Sequence, residues 1–190
     1  VLNSWSTGTD MPWAAGSVQT AVIDGLIYAA GGIVGATTVD NCAVYDPVLD
    51  SWTALAPHPT GMGRNHGAAA TDGERLGIFG GRGVGSGECN CVANGFDQVQ
   101  VYDPVGDTWE TSDDGGTSLV PLPIGRGGMG KAIFFQGEFY VFGGETLDGP
   151  GAVAGNVYDR VDVYDPDTHT WRLDQPMPTP RHGIYPVLFE

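Results

Sequence analysis

"VYDPVGDTW", residues 101–109, runs a Val-Tyr pair into an Asp-Pro turn and then into a tryptophan, and the chain of 190 residues writes nearly the same phrase as "VYDPVLDSW" at 44–52 and "VYDPDTHTW" at 163–171. A phrase that returns with variable spacing marks one supersecondary unit repeated in space, not a single catalytic motif. Proline suits the place just after a strand: it fixes φ and lacks an N–H, so it ends the ladder while the aspartate caps the turn. Each phrase therefore predicts a strand-turn-strand corner with an aromatic residue on either arm.

Upstream, each copy carries a double glycine, Gly31-Gly32, Gly80-Gly81 and Gly143-Gly144, at the end of an alternating apolar run. A turn precedes each run, "DG" at 24–25 and 72–73 and "QG" at 136–137, with another apolar stretch before it, which is a hairpin pattern. The unit thus has four strands, predicted in the first copy near 17–23, 26–31, 41–46 and 51–55. Paired glycines let backbones approach closely and adopt conformations closed to residues with a Cβ, as the crowded inner part of a radial assembly requires. The repeated tyrosines (45, 102, 164) and tryptophans (52, 109, 171) are expected to be largely buried between units.

Composition agrees with an all-β chain. Thirty-one glycines and 13 prolines punctuate short apolar runs, and no stretch of ten or more residues keeps a helical period. No apolar run approaches the roughly 20 residues that span a bilayer, and "VLNSWSTGTD" at the start lacks the basic and apolar regions of a signal peptide. A net charge of −15, with eight Lys and Arg against 23 Asp and Glu, repels nucleic acid and anionic membranes, which argues against both as partners. An Asp-rich, Lys-poor surface suits an extracellular or high-salt medium, where screening removes self-repulsion. Cys42 takes the place that Val99 and Val161 hold in the other units and is expected to be a small buried hydrophobe. Cys89 and Cys91, in "GECNC", could hold a soft metal or close a tight disulfide, but a lone C-x-C has no second pair. The loop at 145–162 is rich in side-chain oxygens (Asp148, Asn156, Asp159, Asp162) yet lacks the D-x-D-x-D-G calcium spacing. No metal or other cofactor is expected.

The double glycine followed by a tyrosine and then a tryptophan resembles the kelch family, and the three copies carry the resemblance over essentially the whole chain. Successive tryptophans at 5, 52, 109 and 171 keep near the kelch period of about 50 residues. The resemblance implies that each copy is one four-stranded antiparallel blade of a β-propeller, about three blades of a six- or seven-bladed ring. On that basis 1–10 is the last strand of a preceding blade, 11–56, 57–113 and 114–175 are blades one to three, and 176–190 is the first strand of a following blade. Propellers close with four to eight blades, so the expectation is a fragment of a longer protein or a chain whose ring is completed by missing blades or another copy.

In kelch propellers that bind peptides or sugars, pocket residues come from the position after the double glycine and from the start of the first strand. The resemblance implies Ile33, Arg82 and Glu145 for the former, and Arg64, Asn65 and His66, Arg126, and Arg181 and His182 for the latter. Blade one departs from the pattern, with Ala14-Ala15-Gly16 in place of the arginine. Arginines at a strand start can equally pair with acidic loops of a neighbouring blade. His58 and His169 are expected in turns. Arg82, Glu145, His66 and Asn65 are expected to converge on one end of the propeller near its axis.

With no compact catalytic constellation in the sequence, the functional expectation is a non-catalytic recognition module that binds a protein or glycan at its loop face. Two alternatives stay open. One is a carbohydrate-active propeller enzyme: the family includes sialic acid mutarotases, whose needs Glu145 with Arg82 or Arg126 could meet, and copper-radical sugar oxidases, for which an adjacent Tyr-His pair and a suitably placed cysteine are lacking. The other is a structural or surface assembly component.

Overall fold

The computed structural model describes residues 3–83, 95–146 and 157–189. Among these there is no helix, and every extended ladder is antiparallel. The first blade comprises β1 (Gln19–Ile23), β2 (Leu26–Ala30), a small hairpin of β3 (Ile33–Val34) and β4 (Thr37–Thr38), then β5 (Cys42–Asp46) and β6 (Ser51–Ala54). The second comprises β7 (Arg64–Asn65), β8 (Ala68–Thr71), β9 (Leu76–Gly83), β10 (Phe96–Asp103) and β11 (Thr108–Thr111). The third comprises β12 (Ile133–Phe135), β13 (Glu138–Phe142), β14 (Val161–Asp165) and β15 (Thr170–Leu173). Strands pair in chain order within each blade, β1-β2-β5-β6, β8-β9-β10-β11 and β12-β13-β14-β15. The four strands predicted for blade one fall within two residues of the observed bounds.

The recurring phrase acquires its meaning from register. Tyr45 lies opposite Trp52, Tyr102 opposite Trp109, and Tyr164 opposite Trp171, with ring centroids 5.1, 5.1 and 4.9 Å apart. The residue before the turn's last strand, Asp50, Asp107 or His169, takes a left-handed φ near 50° each time and bonds the tyrosine hydroxyl at 2.5–2.8 Å. Tyr102 and Tyr164 are buried, whereas Tyr45 and the tryptophans at 52, 109 and 171 are only partly buried, less than the large burial expected of all six. The reason is a polar duty. Each indole N–H donates over 3.0 Å to a backbone carbonyl of the segment that leads into its blade: Trp52 to Thr9, Trp109 to Ala56, Trp171 to Val120.

Blade two is sandwiched, and its inner strands show it. Along β8, Ala69 faces blade one, packing with Ala21, Ile23 and Tyr28, while Ala68 and Ala70 face blade three, packing with Met129, Phe139 and Val141. On β9, Ile78 turns to the first core and Phe79 to the second. With both faces covered, small alanines on the innermost strand let the blades close up. Cys42 is buried in the first core, and burial pushes its thiol up to about 12, so it behaves as the small hydrophobe expected. His58 lies in a bend, and its ring is 1% exposed and stacked 4.4 Å from the Trp109 ring.

The double glycines repeat in conformation as well as in sequence, with φ of 55–64° at the first and 101–106° at the second. At Gly80 a Cβ would lie 2.7 Å from the Arg126 carbonyl oxygen, so only glycine fits. The second glycine donates its N–H to the next blade, Gly32 to Arg64, Gly81 to Arg126 and Gly144 to Arg181, over 2.7–2.9 Å.

Candidate functional site

The innermost strands β1, β8 and β12 run side by side, close enough for the Ala132 N–H to donate to the Ala69 carbonyl over 3.0 Å. Just before each strand one residue takes a left-handed conformation: Ser17 (φ 52°), His66 (54°) and Gly128 (65°), with Gly183 (61°) in the equivalent place further on. These positions are laced together, His66 N–H to Ser17 C=O, Met129 N–H to His66 C=O, and Gly183 N–H to Gly128 C=O. The residue preceding each also pairs with the one after the double glycine, Gly16 with Ile33, Asn65 with Arg82, and Gly127 with Glu145. Backbone pairing therefore brings the two sets of expected site positions to one end of the blades.

There they border a concavity of about 550 Å³ lined by His66, Arg82, Glu145 and His182 of the expected residues, together with Ser17, Lys131 and Tyr185. Arg82 is 6% exposed and its guanidinium is ion-paired with Glu145; His182 Nε2 lies 3.8 Å from the other carboxylate oxygen. Asn65 is fully buried, donating from Nδ2 to Thr38 Oγ1 over 2.7 Å, and its Oδ1 sits 2.5 Å from His66 Nδ1. An amide oxygen only accepts, so Nδ1 carries the proton and His66 Nε2 is left to face the Ser17 hydroxyl at 2.9 Å. Burial, assisted by the Arg82 charge and opposed by Glu145, holds His66 below the ordinary imidazole range.

The structure places the remaining expected residues elsewhere. Arg126 is sealed in the interior, bonded through Nε to the Gly143 carbonyl and through Nη2 to Asp162 Oδ2. Arg64, 1% exposed, lies 4.0 Å above the Phe96 ring and donates to Gln98 and Gly63. Arg181 is exposed. Ile33 pairs with Gly16 and stands outside the cavity. In blade one, which lacks the arginine, the Trp13 indole N–H donates to the Gly31 carbonyl, the equivalent of the Arg126 bond to Gly143.

Sequence reasoning missed Ser17 and Lys131. Ser17 could have been found by aligning the strand starts, which sets it level with His66, Gly128 and Gly183. Lys131, the chain's only lysine, sits in the middle of an apolar strand start. Cys89, Cys91, Asp148 and Asn156 lie outside the described residues, whereas Asp162 is held by Arg126 and Arg160. Among the described residues no group of His, Cys, Asp and Glu is arranged to hold a metal ion, and no helix is long and apolar enough to cross a membrane.

Residues 16–59 and 129–178 match the model of the Kelch motif. Similar curated proteins include the Kelch-like protein terF of Aspergillus terreus, 28% identical over 99% of this chain and 39% of its own length, Kelch-like protein 35 of Mus musculus, 25% identical over 94% and 26%, and Beta-scruin of Limulus polyphemus, 24% identical over 96% and 19%. The chain spans from about a fifth to two-fifths of the length of these relatives. The solved structure of YjhT superposes with a TM-score of 0.69 at 20% identity, over 91% of this chain and 55% of YjhT, a likeness of fold.

Proposed function

The chain belongs to the kelch-repeat family, and we propose that it serves as a recognition module that takes a carboxylate-bearing side chain of a protein partner into the cavity at the inner ends of its blades. The observation that carries this is a local inversion of charge. The chain as a whole is at −15, yet the cavity sets two cations, Arg82 and Lys131, against one acid, Glu145, which Arg82 already pairs. A concave surface of one sign focuses its field on ligands of the other, and Lys131, exposed at the wall, supplies a charge for an incoming carboxylate. Peptides selected from a randomised displayed library against the chain should be enriched in Asp and Glu, and Lys131→Ala should weaken the selected peptides about tenfold, the worth of one charge-assisted hydrogen bond. Selected peptides that are not acidic, or that bind the variant equally well, would overturn the reading.

A second reading, a carbohydrate-active site, is favoured by the approach of Glu145 to both Arg82 and His182: a carboxylate beside an imidazole is what proton transfer at an anomeric centre needs. Binding to a glycan array that is lost in Glu145→Gln, with faster anomer exchange of the bound sugar, would replace the first reading with this one.

A further inference from the structure

The left-handed position before the inner strand is a glycine in the third blade and again at 183, but Ser17 and His66 occupy it in the first two. A side chain in that conformation is disfavoured because its Cβ crowds the following carbonyl oxygen, and residues held so cluster where function requires them. Here the two side chains face one another across the cavity wall. Ser17 Oγ is 2.9 Å from His66 Nε2, and His66 Nδ1 is 2.5 Å from Asn65 Oδ1. Asn65 is itself fixed through Nδ2 by Thr38 on the neighbouring blade. Hydroxyl, imidazole and orienting amide thus stand in the order that nucleophilic acyl transfer uses. Arg82 lines the same cavity and brings N–H donors and positive charge for an oxyanion.

We propose that Ser17 is an acylable nucleophile, His66 its general base and Asn65 a positioning residue, acting on a carboxylic ester that carries a second, anionic group. The Ser17 Oγ–H gives its proton to His66 Nε2 as Oγ bonds the ester carbonyl carbon. The tetrahedral oxyanion collapses, the C–O bond to the alcohol breaks, and the alcohol leaves with the proton from His66. Water, giving a proton to the same nitrogen, attacks the acyl-serine; Ser17 leaves with that proton and the acid is released. The charged groups facing His66 are Arg82 and Glu145, and the anionic group of the substrate would lie against Lys131. This rests on the cavity and not on the recognition reading, whose peptides could bind a chemically inert wall.

A fluorophosphonate tests the nucleophile directly: fluoride leaves, a P–O bond forms to the serine, and the proton passes to His66. The whole chain should gain one adduct, located by mass spectrometry on Ser17. Ser17→Gly should abolish it, and His66→Gly should slow it at least about a hundredfold, the usual share of a general base. Glycine already occupies the equivalent positions 128 and 183, so both variants suit the backbone. Asn65→Asp keeps an acceptor for both Thr38 and His66, and its carboxylate should move the acidic limb of the labelling rate to higher pH. Hydrolysis of 4-nitrophenyl hydrogen succinate should exceed that of 4-nitrophenyl acetate. No adduct, an adduct on another serine, or an unchanged rate in His66→Gly would overturn the site; an unmoved limb would remove Asn65 from it; equal rates for the two esters would remove the anionic group.

Discussion

Arg126 Nη2 and Asp162 Oδ2 lie 2.7 Å apart with both side chains sealed from solvent, at 0% and 1% exposure. Desolvation pulls the guanidinium pKa down while Asp162 opposes it, and the guanidinium also ties down the carbonyls of Gly143 and Ile124. Removing one partner of a buried pair strands the other charge, at a cost of about 3–5 kcal/mol. Arg126→Met should therefore lower the unfolding free energy measured in urea by an amount at the low end of that range, because Arg160 still contacts Asp162. An unchanged midpoint would mean that Arg126 is not held as described.

His58 gives a pH signature. Its ring is buried against Trp109, and burial, with the nearby Arg64 charge, drops its pKa from 6.5 to about 3. The folded chain then keeps His58 neutral where the unfolded chain protonates it. Its contribution to stability is full above about pH 6.5 and is lost as pH falls towards 3, with a slope of at most roughly 1.4 kcal/mol per pH unit. The unfolding free energy of the chain should fall relative to that of His58→Phe as pH drops from 7 to 4. A difference that stays constant would show that the imidazole is protonated in the folded state.

The blade was legible because its signals are local: a turn pair, a double glycine, and a tyrosine opposite a tryptophan. The convergence of Arg82 and Glu145 was legible through the repeat, since equivalent positions in successive blades end on the same side. Two things were not. Arg64 and Arg126 each lie two positions from a cavity residue, His66 and Gly128, and whether such a side chain turns into the core or out to the cavity depends on acceptors far away in sequence, Gln98 and Asp162. Ser17 matters through its contact with His66 at 49 residues' distance, and its φ gives no composition signal.

Trp109 joins two blades through one bond. Its indole donates to the Ala56 carbonyl over 3.0 Å, and Asp107 accepts from the Ala56 N–H over 2.7 Å, so both polar groups of that linker residue are held by the second blade. Trp109→Phe keeps an aromatic against Tyr102 and His58 but orphans the carbonyl, and should cost about 1 kcal/mol. Trp109→Ala also empties the ring's place and should cost roughly 3 kcal/mol. Thermal melts of the two variants should rank in that order; equal melting would contradict the hydrogen bond's share.

The electrostatics of the cavity can be checked with opposite signs on one reporter. His66 is held low by burial first and by Arg82 second, while Glu145 raises it, and Arg82 and Glu145 also neutralise each other across their ion pair. Glu145→Gln removes the raising charge and leaves Arg82 uncompensated, so the His66 pKa should fall further. Arg82→Gln does the reverse, leaving Glu145 to stabilise the imidazolium, and the pKa should rise. Because burial is the larger cause, the rise in Arg82→Gln should still leave His66 below 6.5. The imidazole carbon-bound proton followed by NMR across pH reads all three chains. Shifts of the same sign in the two variants, or none, would mean that the pair does not face His66.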